Sequence, residues 1–200
     1  MLPIHEYHKS IANKMNNKEP HHLDLEQATI GGGCFWCLEA VYQQVSGVVH
    51  VESGYAGGHT ENPDYDSVCS GRSGHAEVVR IHYDPQLVSF RQLLEVFFVI
   101  HDPTTLNRQG NDVGTQYRSV IYYHDDKQKL QAAEMIEALS QAETYSNPIV
   151  TELSALPIYY PAEDYHQNYF VNHPDQGYCA FVVGPKVEKF QKSFLSLIRQ

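Results

Sequence analysis

Three consecutive glycines, Gly31 to Gly33, separate the apolar stretch Leu25 to Ile30 from the segment Cys34-Phe35-Trp36-Cys37. Glycine has no Cβ, so such a run lets the backbone turn tightly and approach other groups closely. The pattern is that of a strand turning into a helix over about residues 35–45. Cys34 then lies near the helix N-terminus, where unpaired N–H groups and the helix dipole favour a thiolate. Two large adjacent aromatics cannot both face one side of a helix, so at least one of Phe35 and Trp36 faces the same site. A buried, inert thiol is the common fate of cysteine, but the glycines leave little nearby to cover Cys34. A reactive sulfur beside an aromatic floor suits sulfur chemistry on a small apolar group.

The rest of the chain repeats the strand–helix–strand pattern. Strands are expected at 25–30, 48–55, 76–83, 117–123 and 148–153. Ser89 to Gln92 is a capping box that opens a helix bearing Leu93, Leu94, Phe97 and Phe98, and His101-Asp102-Pro103 ends it. Asp125 opens another helix, with Leu130, Ala133, Ile136 and Leu139 on one side. A short helix is expected over 163–171. The last helix starts at Gly184-Pro185 and buries Val187, Phe190, Phe194 and Leu197. Two polar loops, 54–74 and 104–116, are long enough to be functional. The core order, β-α-β twice, predicts an α/β (α+β) two-layer sandwich of the split βαβ type.

The chain has 200 residues, which suits one domain with or without an extension. Residues 1–27 are polar and aperiodic and read as an N-terminal extension to a single domain over 28–200. With 14 basic and 24 acidic residues the net charge is −10, which argues against a nucleic-acid partner. No apolar run approaches the roughly 20 residues of a membrane span, and residues 1–18 carry no signal-peptide core. A cytoplasmic, reducing location is the expectation. Four cysteines are too few for a disulfide scaffold, so free or catalytic thiols are expected. The 12 histidines are scattered without metal-ligand spacing, and no metal is expected.

Glu77 is the second unusual residue. It shares a strand face with Val79, Ile81 and Tyr83, where desolvation raises a carboxyl pKa and keeps a proton available at neutral pH. A strand-end glutamate pairing with Arg72 or Arg80 is an equal alternative. Tyr65 and Tyr117 adjoin the two long loops and offer hydroxyl donors on apolar rings. Asp112 sits in a turn-like string, where aspartate usually caps local N–H groups. Cys34-x-x-Cys37 has the spacing of a redox pair, and a sulfenic acid needs such a thiol to resolve it. Cys179, after the loop-like stretch 172–177, is a second candidate, and Cys69 a third. His75, His101 and His166 have no partner visible from spacing.

Together these segments closely resemble the A-type peptide methionine sulfoxide reductases. The resemblance is carried by Gly33-Cys34-Phe35-Trp36, Gly54 to Gly58, Asn62 to Tyr65, Gly74 to Glu77, His101 to Thr104, Gly110 to Ser119 and Ala162 to Gln167, and it spans about residues 28–184. It implies a ferredoxin-like core, and attack by Cys34 on the sulfur of a methionine-S-sulfoxide, free or in a protein. Phe35 and Trp36 would hold the S-methyl group, and Glu77, Tyr65 and Tyr117 would bind the sulfoxide oxygen. Asp112 would orient part of that network. Cys34 would be left as a sulfenic acid and resolved by a second thiol, and thioredoxin would reduce the disulfide without metal or organic cofactor. Many members of the family have glycine in place of Cys37 and a later recycling cysteine that this chain lacks. The Gly-Tyr-Cys179 setting matches a common resolving position of the family, and Cys37 is its close rival. Two other classes compete: a thiol–disulfide oxidoreductase built on the cysteine pair alone, and a non-catalytic binder of methionine-rich peptides.

Overall fold

A computed structural model describes residues 24–199 of the chain. Most of the expected polar extension, residues 1–23, lies outside these residues. The first strand, β1 (Glu26–Gly31), begins two residues inside the stretch read as extension.

The other elements follow in chain order as α1 (Phe35–Tyr42), β2 (Val48–Ala56), α2 (Tyr65–Cys69), β3 (Ala76–Tyr83) and α3 (Phe90–Ile100). After them come a two-residue hairpin, β4 (Arg108–Gln109) with β5 (Asp112–Val113), then β6 (Val120–Tyr123) and α4 (Asp126–Gln141). The last are β7 (Glu152–Ala155), β8 (Tyr159–Pro161), α5 (Tyr169–Asn172) and α6 (Gly184–Ser193). The six-stranded sheet has the order β7-β6-β1-β3-β2-β8. Its four central strands, β6-β1-β3-β2, are antiparallel neighbours. This is the split βαβ arrangement that the alternation of elements implied. β7 extends it in parallel beside β6, and β8 pairs antiparallel with β2.

The face of β3 that carries Val79, Ile81 and Tyr83 packs into the main core with α1, α3 and α6. Its other face, with Ala76 and Val78, joins a smaller cluster with Val120, Tyr122 and Tyr159. β3 is therefore buried on both sides at Glu77 to Val79. Among the described residues no helix is long and apolar enough to cross a membrane.

Local expectations change at several places, among them the last helix, which ends at Ser193 and leaves Leu197 in a separate turn. The loop at 54–74 contains α2, because Asp64 and Ser67 form a capping box there. Tyr117 ends a 3-10 turn, Thr115–Tyr117, and the strand starts only at Val120. The fifth strand begins at Glu152, later than Pro148, since Pro148 can donate no ladder hydrogen bond. α4 buries Gln128, Ala132 and Met135 while Leu130 is exposed, so its inner face is rotated from the one expected. The helix expected over 163–171 is broken at Asn168, whose φ of 55° is left-handed.

The capping box of α3 forms as the sequence implied. Ser89 Oγ accepts the Gln92 N–H at 3.2 Å, and Gln92 Oε1 accepts the Ser89 N–H at 2.9 Å. Ser89→Ala should cost about 1 kcal/mol of stability, read as a lowered urea midpoint with unchanged slope.

Candidate active site

The site forms where β1 turns into α1. A Cβ on Gly31 would sit 2.6 Å from the Glu77 carbonyl oxygen, so only glycine lets β1 pass this close to β3. Gly33 has a φ of 91°, and a Cβ there would meet the Gln109 side chain at 2.6 Å. The turn places Cys34 as the N-cap of α1. Its side chain makes no cap bond there. Instead the first N–H of the helix, from Phe35, donates to Glu77 Oε2 at 3.0 Å. Glu77 thus satisfies one orphan donor of α1 from the neighbouring strand and lies within hydrogen-bond reach of the Cys34 thiol.

Cys34 is covered, at 6 % exposed, contrary to the reading that little nearby could bury it. Burial pushes its pKa well above the ordinary thiol value, and the Cys37 hydrogen bond and the Glu77 charge act the same way. The helix N-terminus does not outweigh these effects, because a desolvated anion costs more than an exposed dipole returns. The resting Cys34 is therefore a protonated thiol. The hydrogen bond from Cys34 lowers the Cys37 pKa, opposed by burial and aided by the Lys186 ammonium.

Glu77 is 1 % exposed. Burial pushes its pKa up to about 8, with the Phe35 N–H pulling the other way. Arg80 does not pair with it, since its guanidinium lies 3.7 Å from the centre of the Tyr159 ring. The apolar strand face therefore decides the state of Glu77.

Tyr65 and Tyr117 come from different segments and converge on Glu77. Tyr65 is the first residue of α2, and its N–H donates to Glu163 Oε1 at 2.9 Å. The other Glu163 oxygen accepts the Tyr55 hydroxyl at 2.9 Å, and Tyr55 faces Glu77 across the β2–β3 ladder. Arg118 fixes the turn that carries Tyr117. It donates to Gly74 O at 3.1 Å and Thr115 O at 2.9 Å, tying that turn to the residues just before Glu77. Burial raises the pKa of both tyrosines, and the Glu77 charge adds to it. Both stay neutral donors at physiological pH.

Asp112, on β5, points to a residue that sequence reasoning left out. Its Oδ2 accepts the Tyr178 hydroxyl at 2.7 Å. Tyr178 also lies beside the Cys34 and Cys37 thiols and lowers the pKa of both. Its ring meets Trp36 edge-on at 5.9 Å. The aromatic pair divides its work. Phe35 is fully buried against Tyr55 and His166, while half-buried Trp36 stacks on Tyr169 at 3.7 Å and 5°. The indole Nε1–H donates to His166 Nδ1 at 3.2 Å. His166, assigned no chemistry from spacing, packs against four aromatic rings: Phe35, Trp36, Tyr65 and Tyr165. The only sequence signal for Tyr178 was its adjacency to Cys179, and for His166 its place in the Ala162 to Gln167 motif.

Cys179 is fully buried on a π-helical turn, Cys179–Val183, that runs into α6. Cys69 ends α2 with its thiol against the Tyr65 hydroxyl. His75 and His101 serve the fold. His75 links Gly58 N to Thr60 O, and His101 links Phe97 O to Ser119 Oγ.

A buried thiol beside a high-pKa carboxyl, with tyrosine donors and an aromatic wall alongside, defines a cysteine-dependent oxidoreductase site for a small sulfur-containing group. Residues 26–197 match the family model described as peptide methionine sulfoxide reductase. The chain belongs to that family, in its A-type branch. The peptide methionine sulfoxide reductase MsrA of Polynucleobacter asymbioticus is 64 % identical over 174 residues, covering 87 % of this chain and 92 % of that protein. The solved methionine sulfoxide reductase A of Corynebacterium diphtheriae is 39 % identical, with a TM-score of 0.73 over 78 % of this chain and 77 % of that one. Reduced Mxr1 of Saccharomyces cerevisiae is 32 % identical, with a TM-score of 0.72 over 82 % of this chain and 94 % of that one. Mxr1 has also been solved in complex with Trx2.

Proposed function

We propose that this chain reduces methionine-S-sulfoxide, in proteins and as the free amino acid, to methionine, and so repairs oxidised proteins. The observation that carries the mechanism is the Cys34–Glu77 pair: Glu77 accepts the N–H of Phe35, next to the buried Cys34, at 3.0 Å, and burial keeps its carboxyl neutral up to about pH 8. The sulfoxide oxygen enters among the Glu77, Tyr65 and Tyr117 donors, and the S-methyl group lies against Trp36, with Phe35 supporting that wall from the core. Cys34 sulfur attacks the sulfoxide sulfur. The neutral Glu77 carboxyl donates a hydrogen bond to the oxygen as charge develops there, and the proton given up by the Cys34 thiol ends on that oxygen. The sulfur–oxygen bond to the substrate breaks, the hydroxyl passes to Cys34, and methionine leaves. The sulfur of methionine is reduced and Cys34 is oxidised to a sulfenic acid. Neutral donors suit the step, because an ionised Glu77 would repel the charge gathering on the oxygen. Asp112 holds Tyr178 against both thiols.

Cys37 is the resolving thiol in this reading, ahead of Cys179. It lies in the first turn of the helix that Cys34 caps, and interaction with the Cys34 thiol lowers its pKa. The Cys37 sulfur attacks the sulfenic sulfur, the sulfenic hydroxyl leaves with the proton given up by the Cys37 thiol as water, and the disulfide forms. Thioredoxin is the proposed reductant, supported by the complex solved for Mxr1, and a cytoplasmic location fits that supply. The match of one family model to residues 26–197 supports a single catalytic domain after the N-terminal segment.

The test uses both sulfoxide epimers and mass mapping of the disulfide after one turnover. Turnover of the S epimer alone, with a Cys34–Cys37 disulfide, is the expected result. Cys37→Ser should still release one methionine per enzyme and lose thioredoxin-coupled turnover by at least about tenfold. Cys179→Ser should keep that turnover. A Cys34–Cys179 disulfide would reverse the assignment. A simple thiol–disulfide oxidoreductase gives Glu77, Tyr65 and Tyr117 no task, and insulin reduction without sulfoxide reduction would restore that reading.

A further inference from the structure

Helix α1 carries a carboxyl group where its neighbours are apolar. Glu39 is fully buried between Leu38 and Ala40 in the helix Phe35–Tyr42. It lies one turn beyond Trp36, and Gln43 lies one turn beyond it, so the three side chains form a single stripe.

All three reach the same segment. Trp36 Nε1 donates to His166 Nδ1 at 3.2 Å. Glu39 Oε1 accepts the Asn168 N–H at 2.8 Å, and Oε2 accepts the Tyr169 N–H at 3.2 Å. Gln43 Nε2 donates to Asn168 Oδ1 at 2.8 Å. Asn168 holds a φ of 55°, a left-handed conformation that residues with a Cβ adopt only when their surroundings impose it. Successive N–H groups around such a residue point into one concavity that suits an anion. The Glu39 carboxylate fills it, one oxygen to each N–H. The kink at Asn168 ends the preceding turn and starts α5, whose first residue is Tyr169. The Tyr169 ring thereby lies parallel to Trp36, 3.7 Å between centres. None of the steps proposed for the reaction uses Glu39.

We propose that Glu39 is a positioning residue for substrate binding: by gripping the backbone N–H groups of Asn168 and Tyr169, it keeps Tyr169 stacked on Trp36 and so shapes the aromatic wall that receives the S-methyl group. The inference rests on the reading of Trp36 as that wall. Burial pushes Glu39 up to about 7, against the pull of the two N–H groups, as expected of a carboxyl retained in a core for what it holds. Glutamine at this position keeps the length and one acceptor oxygen but sets an NH2 against the second N–H.

Trp36 is the single tryptophan of the chain, so tryptophan emission comes only from the ring in this stack. The experiment compares Glu39→Gln, Tyr169→Leu and the double variant by tryptophan emission and by steady-state kinetics on methionine sulfoxide. Glu39→Gln should shift the emission in the same direction as Tyr169→Leu. It should raise KM about tenfold with kcat within about twofold, the signature of lost binding without lost chemistry. The double variant should be no worse than Tyr169→Leu, because both changes remove one interaction. Wild-type emission and KM in Glu39→Gln, or additive losses in the double variant, would overturn the proposal. If Glu39→Gln does not fold, Gln43→Ala carries the test, since it loosens the same kink from its outer side. A smaller shift in the same direction, with KM up about twofold, supports the proposal, and wild-type emission and KM overturn it. A wild-type KM in Tyr169→Leu would overturn the pocket reading, and the proposal with it. Failure of Glu39 alone appears as altered Tyr169→Leu kinetics beside a wild-type Glu39→Gln.

Discussion

Cys34→Ser should abolish methionine sulfoxide reduction, with kcat/KM falling by at least about 10⁴-fold, as expected when a nucleophile is removed. The hydroxyl is close in size to the thiol, so packing around it changes little. Cys34 is buried beside Glu77, Cys37 and Tyr178, and each of these contacts accepts an oxygen in place of sulfur. What is lost is the chemistry, because a serine oxygen cannot take up the sulfoxide oxygen and later form a disulfide. The check is methionine release with excess dithiothreitol, together with the urea midpoint. A serine variant with normal folding and measurable turnover would end the assignment of Cys34 as the nucleophile.

The second large effect belongs to Glu77. Glu77→Ala should lose about 10²- to 10³-fold in kcat, the usual cost of removing one donor to a developing oxyanion. Glu77→Gln should lose about tenfold or less, because the amide still donates a hydrogen bond. Equal losses in the two variants would mean that proton delivery dominates over hydrogen bonding. The pH dependence follows from the native pKa of about 8, held above the ordinary carboxyl value of 4.5 by burial. Glu77 is neutral below about 8, so kcat should fall as pH rises through that value. Glu77→Gln should lack that limb. The same group affects stability. Its raised pKa means that the folded state binds the proton more tightly than the unfolded chain does. Its contribution is complete below about 4.5 and is lost as pH rises through about 8. Urea midpoints of the wild type and Glu77→Gln should therefore differ least in acid and diverge toward pH 9, with the wild type falling. Parallel pH profiles would place Glu77 in water.

Much of the fold could be read from the sequence because its signals are local. The glycine run, the alternation in residues 76–83 and the Ser89 capping box each depend on neighbours within one turn or one strand. All three appear where expected. The errors share a physical cause as well. The Asn168 break, the rotation of α4 and the burial of Cys34 are set by contacts between distant residues. Glu39 holds Asn168 across 129 positions, and Gln128 reaches Gln27 across 101.

The sequence alone determined the strand–turn–helix that presents Cys34, the split βαβ order, the apolar setting of Glu77 and the family to which the chain belongs. These rest on backbone freedom at glycine, on the periods of strand and helix, and on motifs whose order survives without coordinates. Only the tertiary structure decided the protonation of Cys34, the convergence of Tyr65 and Tyr117 on Glu77, the place of Tyr178 beside Cys34 and Cys37, and the grip of Glu39 on the segment that carries Tyr169. Desolvation and hydrogen bonding between segments a hundred residues apart depend on how the chain closes over itself, and no local pattern carries that information.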